Sequence, residues 1–395
     1  MTWSRGGIAV TGLGAVSALG PDVAAMLDGL RAGRSGLRAP SRLQLGDLSA
    51  RPVGEVERLP GDPEDGSATH RLAVAAAREA WQSARPRAAP ERVAVIMGTT
   101  TGGIAASERW YLDHLAQQPS APSVLRAHAA FTVTQATARA VGARGPTMTL
   151  STACSSGANA LTVGADLLRQ GSVDVVVAGG ADALCLTTYA GFSSLRLMSD
   201  APCRPFDRGR DGLNLGEGAG CLVLEREADA RARGATIHAL LLGSAISCDA
   251  HHMTAPAPDG EAVFNALTEA LAQAGVSPAE VDYINAHGTA TPANDEAEAR
   301  ALRRVFGAAG PPVSASKSFL GHTLGAAGAL EAVVTVLALR EGLLPATLNT
   351  DSPEDEAPAD LVLGGPRSSS IRVAVSTSFA FGGNNAVLVF GRGER

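Results

Sequence analysis

Apolar positions along the chain form two kinds of run that alternate. Short, nearly continuous runs at residues 7–11, 92–97, 173–180, 238–244, 281–286, 371–375 and 386–390, with a shorter one at 313–316, read as strands of sheets covered on both faces. Between them, apolar residues recur three and four apart over 70–84, 107–117, 123–141, 158–170, 260–275, 294–306 and 325–340, which predicts helices. The second half repeats the style of the first, so the pattern predicts a duplicated α/β unit, two sheets sharing helices between them. The Gly-, Pro- and Arg-rich stretch 35–66 reads as a surface excursion, and 351–360 as a surface loop. The charged turn 204–212 is read either as a solvated loop or as a docking element.

Composition narrows the class. The 395 residues are 45% hydrophobic and 18% charged, with 45 Gly, and no apolar run reaches the roughly 20 residues of a membrane span. Residues 1–7 lead directly into the first strand without the architecture of a signal peptide, so a cytoplasmic location is expected. The net charge of −6 gives no reason to expect nucleic-acid binding. Cys154, Cys185, Cys203, Cys221 and Cys248 are odd in number and contain no C-x-x-C pair, which argues against a disulfide framework or a cysteine zinc site. Of 33 basic residues one, Lys317, is lysine, which points to a position needing a compact ammonium rather than a planar guanidinium.

Candidate chemistry lies in polar turns at the ends of apolar runs. Leu150-Ser151-Thr152-Ala153-Cys154-Ser155-Ser156-Gly157 joins an apolar stretch to a predicted helix, placing Cys154 at a helix N-terminus, where unpaired N–H groups and the helix dipole favour thiolate. Locally this leaves two readings open, a nucleophile or a buried structural cysteine. In the second half, Asn285-Ala286-His287-Gly288-Thr289-Ala290-Thr291-Pro292 follows a strand, and Ser316-Lys317 through His322 to Gly328 precedes an Ala-rich helix. A third turn, 376–385, lies between two strands. Two imidazoles in glycine-flanked turns, one five residues from the lone lysine, point with Cys154 to thiol catalysis assisted by histidines. By contrast, Gly12-Leu13-Gly14 has Ser17 in place of a third glycine and Gly20-Pro21 where a helix should follow, so it reads as a tight strand-to-loop turn rather than a nucleotide site.

Over nearly its whole length the chain resembles the β-ketoacyl-acyl carrier protein synthases, condensing enzymes of the thiolase superfamily, and most closely the type II elongating ketosynthases. The resemblance rests on Thr-Ala-Cys-Ser-Ser-Gly at Cys154, His-Gly-Thr-x-Thr-Pro at His287, Lys-Ser-x-x-Gly-His-x-x-Gly-Ala-Ala-Gly at Lys317 and His322, and Phe-x-Phe-Gly-Gly at Phe381. It implies a five-layered αβαβα thiolase-like fold of two duplicated halves, 1–235 carrying the cysteine and 236–395 carrying the histidines and lysine. It implies a 3-oxoacyl-acyl carrier protein synthase: Cys154 takes an acyl chain, malonyl-carrier protein loses CO₂, and the carbanion attacks the acyl-enzyme in a Claisen condensation. His287 and His322 would stabilise the enolate, Lys317 would order the site with Glu331 compensating it, and the backbone N–H groups of Cys154 and Phe381 would form a second oxyanion hole. Thr289 and Thr291 would hold phosphopantetheine and Thr101 would line the acyl pocket. No bound cofactor or metal is implied, substrates being carried on the phosphopantetheine of an acyl carrier protein. The expected assembly is a homodimer, or a heterodimer with a chain-length-factor-like subunit.

The chain departs from the family at Asn294, usually Gly, and at Ala380 and Asn384, where Gly and Thr are usual. Ala380 implies a stiffer loop over the cysteine. Thr101 stands where long-chain members have a larger apolar residue, which brings in the alternative of a ketosynthase of an iterative polyketide or polyene pathway. A non-catalytic chain-length factor would lack the nucleophile, and a thiolase would replace a histidine by a second cysteine.

Overall fold

A computed structural model describes residues 7–62, 66–119 and 121–393; the expected signal-free start at residues 1–6 lies outside the described residues. Ten strands among these pair into one continuous ladder: β1 (Ile8–Val16), β2 (Val93–Gly98), β3 (Thr147–Leu150), β4 (Val175–Asp182), β5 (Gly218–Arg226), β6 (Ala239–Cys248), β7 (Tyr283–Asn285), β8 (Val313–Ser314), β9 (Val373–Ala380) and β10 (Asn384–Arg392). Their order is β8-β7-β9-β10-β6-β1-β5-β4-β2-β3. The middle pairing, β1 with β6, spans only Ile8–Val10, so the ladder is two five-stranded sheets joined at a corner. The first sheet runs β3-β2-β4-β5-β1 and the second β8-β7-β9-β10-β6, the same order with five added to each number. Strand directions repeat too: the three outer strands are parallel, and β5 and β10 run antiparallel to their neighbours.

Helices complete five layers. The outer face of the first sheet is covered by α1 (Ala68–Ala84) and the helix Phe131–Val141, and that of the second by α3 (Glu261–Ala274), on which α4 (Pro292–Phe306) packs. Between the sheets lie α2 (Ser156–Arg169) and α5 (Ala327–Glu341), in the largest of the apolar clusters. Every residue of α5 from Ala327 to Leu339 is buried, as expected of a helix apolar all round. Truncating Leu330 or Leu337 there would cost about 2–5 kcal/mol, through lost transfer energy and the cavity left behind. The two central helices meet through glycines. A Cβ on Gly157 would lie 2.8 Å from the Ala329 nitrogen, and one on Gly328 2.8 Å from the Ala158 Cβ.

Several readings of the pattern change in three dimensions. Gly12 and Gly14 make no turn; β1 runs on to Val16, and these glycines let α1 approach, since a Cβ would fall 2.2 Å from the Ala80 oxygen or 1.9 Å from that of Ala76. The excursion 35–66 is partly inside: Val53 to Val56 are buried, with Gly54 N–H donating to the Leu215 carbonyl. The turn 204–212 is likewise packed, around fully buried Phe206, with Arg210 ion-paired to Glu354. The helix expected over 123–141 divides into a 3₁₀ turn at Pro122–Ala127 and a helix from Phe131. β3 forms one edge of the ladder, and Met148 on it, with Tyr111, Leu115 and Phe131, is an exposed large apolar residue.

Candidate active site

Cys154 is positioned by a short turn between β3 and α2. Ala153 takes a positive φ of 52°, Ala153–Ser155 forms one 3₁₀ turn, and α2 starts at Ser156. The hydroxyl-rich sequence satisfies backbone groups the bend leaves free: Thr152 N–H donates to Ser156 Oγ (2.8 Å), Ser155 Oγ to the Thr152 carbonyl (2.9 Å) and Ser156 Oγ to the Ala153 carbonyl (2.6 Å). The helix-start expectation of a ready thiolate meets an opposing effect. Burial pushes the Cys154 thiol up to about 12, outweighing the Lys317 charge and the Phe381 backbone N–H, so the resting group is a thiol.

The second half brings its turns to the same place. His287 follows β7, and its turn is clamped by Glu298 of α4, whose carboxylate accepts from the N–H groups of His287 and Gly288 (both 2.8 Å) and from Thr377 Oγ1 (2.7 Å). Lys317 is 2% exposed; its ammonium donates to His287 Nδ1 (3.0 Å), to the His287 carbonyl (2.6 Å) and to Glu331 Oε1. Three donors meet three acceptors, so this lysine is fully satisfied. His322 Nδ1 accepts from the Leu324 N–H (3.2 Å). With both Nδ1 atoms accepting, each imidazole carries its proton on Nε2. Burial, reinforced by Lys317, holds both histidines well below the usual imidazole range, so they are neutral donors. Their rings lie 5.3 Å apart, edge to face, and His287 also meets Phe379 edge-on at 5.5 Å.

Cys154, His287, His322, Thr289, Thr291 and Phe381 all line one cavity of about 300 Å³. The Thr289 and Thr291 hydroxyls are 2.8 Å apart. Phe381 heads the β9–β10 turn and stacks on Phe192 at 5.5 Å. Lys317 and Glu331 stand behind His287. Thr101 is not brought to this cavity; it is buried, with its hydroxyl donating to Asp182 Oδ1 at 2.7 Å. Arg71 spends its guanidinium on the Leu59, Pro60 and Gly61 carbonyls, and Arg208, in the charged turn 204–212, pairs with Asp355.

Sequence reasoning missed Glu298 and Asp182. Asp182 accepts from Thr99 Oγ1, from Thr100 and Thr101, and from Gly325 N–H across the halves (2.7 Å). The available signal was an acid ending the all-apolar run Val175–Ala181. Among the described residues no group of three or more His, Cys, Asp or Glu could hold a metal ion, and no helix is long and apolar enough to cross a membrane.

Comparison with known proteins matches residues 6–230 to the family described as beta-ketoacyl synthase, N-terminal domain, and 238–351 to its C-terminal domain. The chain is 38% identical to 3-oxoacyl-[acyl-carrier-protein] synthase 2 of Synechocystis sp., covering 97% of each. Among solved structures it is similar to the ishigamide ketosynthase/chain length factor, with TM-score 0.94, 36% identity and coverage of 99% of this chain and 100% of that one. It is also similar to a ketosynthase in complex with its chain length factor from Xenorhabdus doucetiae, with TM-score 0.88, 34% identity and 98% coverage of each.

Proposed function

The chain belongs to the β-ketoacyl synthase family, and from that premise we propose that it is a 3-oxoacyl-acyl carrier protein synthase, with Cys154 as the acyl acceptor. The observation that carries this reading is the meeting, in one cavity, of a cysteine and two neutral imidazoles whose Nδ1 atoms are already occupied.

The Cys154 sulfur attacks the thioester carbonyl of an acyl-carrier protein; the C–S bond to the carrier breaks, and the carrier thiol leaves with the cysteine's proton. The backbone N–H groups of Cys154 and Phe381 stabilise the oxyanion of this step. The malonyl thioester then loses CO₂, its electrons passing into an enolate whose oxygen receives the Nε2–H donors of His287 and His322. The enolate carbon attacks the acyl-cysteine, a C–C bond forms, and the cysteine sulfur departs and is protonated. Lys317 holds His287 in its tautomer and its charge reinforces the burial that keeps the imidazoles neutral, with Glu331 as counter-ion. Thr289 and Thr291 bind the phosphopantetheine arm, no other cofactor being bound. The halves divide as 1–235 and 236–395.

Exposed Met148 on edge strand β3 and Phe131 at the start of the helix packed against it suit a partner subunit. A homodimer is the main reading. The likeness to a ketosynthase/chain length factor at TM-score 0.94 favours, as a second reading, a polyketide or polyene ketosynthase with a chain-length-factor-like partner. In that setting Thr101, at the position the resemblance gives to the acyl pocket, would bear on chain preference.

Incubation with malonyl-carrier protein and a panel of acyl-carrier proteins, followed by product masses, tests the proposal. A 3-oxoacyl product two carbons longer than the primer is expected. Absence of any condensation from a folded chain, alone and with a chain-length-factor subunit, would overturn it.

A further inference from the structure

The helix Leu186–Ser194 carries Phe192 towards its C-terminal end and stacks it on Phe381 at 5.5 Å. At its N-cap the Cys185 Sγ meets the Thr188 hydroxyl at 3.2 Å and leaves the N–H groups of Leu186 and Thr187 to another partner. The free N–H groups of Leu186 and Thr187 instead both donate to the carboxylate of Glu108, one to each oxygen, with 2.9 Å for Leu186. Glu108 lies on a separate helix, Ile104–Leu115. A carboxylate at a helix start meets both orphan donors and the positive end of the dipole, in charge-assisted hydrogen bonds. Midway along, the helix is held a second time, by Tyr189, whose hydroxyl donates to the Ser49 carbonyl (2.8 Å) and accepts from Arg51 N–H (2.8 Å).

We infer that Glu108 is a positioning residue for acyl transfer: by anchoring the start of Leu186–Ser194 it sets Phe192, and through the ring stack it sets Phe381 beside Cys154. This rests on the reading of Cys154 as acyl acceptor. The inference separates the two half-reactions. Acyl transfer uses the Phe381 backbone N–H and passes through this linkage. Malonyl decarboxylation uses His287 and His322, which Lys317, Glu298 and the Leu324 N–H hold without it.

The test compares wild type, Glu108→Ala and Glu108→Gln. Acylation of Cys154 is followed by intact-protein mass spectrometry, CO₂ release from malonyl-carrier protein is measured separately, and folding is checked by thermal unfolding. Acylation is expected to slow about tenfold in Glu108→Ala and about threefold in Glu108→Gln, which keeps one acceptor oxygen, while decarboxylation stays within about twofold. If Glu108→Ala fails to fold, the split in Glu108→Gln decides. Parallel loss of both half-reactions would reduce Glu108 to a structural role, and unchanged acylation would remove it altogether. A crystal structure of Glu108→Ala with Phe192 and Phe381 still stacked as before would also overturn the inference. A wild-type chain that accepts no acyl group would instead overturn the parent reading.

Discussion

The starts of the two central helices are built alike and used differently. Before α2, Ala153 has φ 52°, a 3₁₀ turn spans Ala153–Ser155, and the helix begins at Ser156; before α5, Leu324 has φ 52°, a 3₁₀ turn spans Leu324–Ala326, and the helix begins at Ala327. Cys154 therefore corresponds to Gly325, and Gly157 to Gly328. At the second start no side chain fits: a Cβ on Gly325 would lie 2.7 Å from Asp182 Oδ2 and 2.8 Å from the Thr100 nitrogen. Its N–H is instead tied to that carboxylate. One backbone device thus mounts a nucleophile in the first half and fastens the two halves together in the second. The second half's chemistry sits upstream of its helix, at His322 and in the turn at His287.

The largest test of this contrast is Cys154→Ala. The acyl adduct should disappear from the intact-protein mass while malonyl decarboxylation continues; an adduct surviving in the variant would break the assignment of roles. Replacing His287 or His322 by alanine should lower condensation by on the order of 10²–10³, the usual cost of losing one oxyanion donor. A loss below tenfold in steady-state product formation would take the histidines out of the reaction. Lys317→Met leaves Glu331 a buried carboxylate without its cation, and denaturant titration should show a loss of about 3–5 kcal/mol, largely recovered in Lys317→Met/Glu331→Leu. Gly325→Ala should cost about 1–3 kcal/mol by overpacking. If it proves as stable as wild type, the steric half of the comparison fails.

The smallest effect concerns the outer helices. His70 of α1 is pushed down to about 4 by burial, while α3, its topological counterpart, has no histidine in Glu261–Ala274. The folded chain keeps His70 neutral where the unfolded chain takes up a proton. Its contribution to stability is therefore full above about pH 6.5 and declines as the pH falls towards 4. His70→Gln should flatten thermal stability against pH within that window, and an unchanged slope would assign the window to other groups.

Much of the architecture was readable because the periodicity is strong: α5, apolar all round, and β4, a nearly unbroken apolar run, are where the pattern predicts them. Cys154, His287 and His322 were visible because each sits in a glycine- or hydroxyl-rich turn at the end of an apolar run. The clamps were not. Asp182 and Glu298 act on residues about 10 to 143 positions away, through contacts that exist only once the sheets are assembled. Periodicity also could not distinguish a glycine that turns the chain from one that admits a helix, which is why Gly12 and Gly14 looked like a turn. Nor could it weigh the opposing effects on Cys154, since the helix start is local and burial is not.

Lys317 has a consequence for handling the protein. It is the one lysine in the sequence and is 2% exposed, so apart from the α-amino group the native surface presents no primary amine. Amine-directed tags, crosslinkers and coupling resins should find almost nothing to react with while the fold is intact. Modification of Lys317 by a small amine reagent would then report the opening of the core around the site, a built-in probe that needs no engineered label.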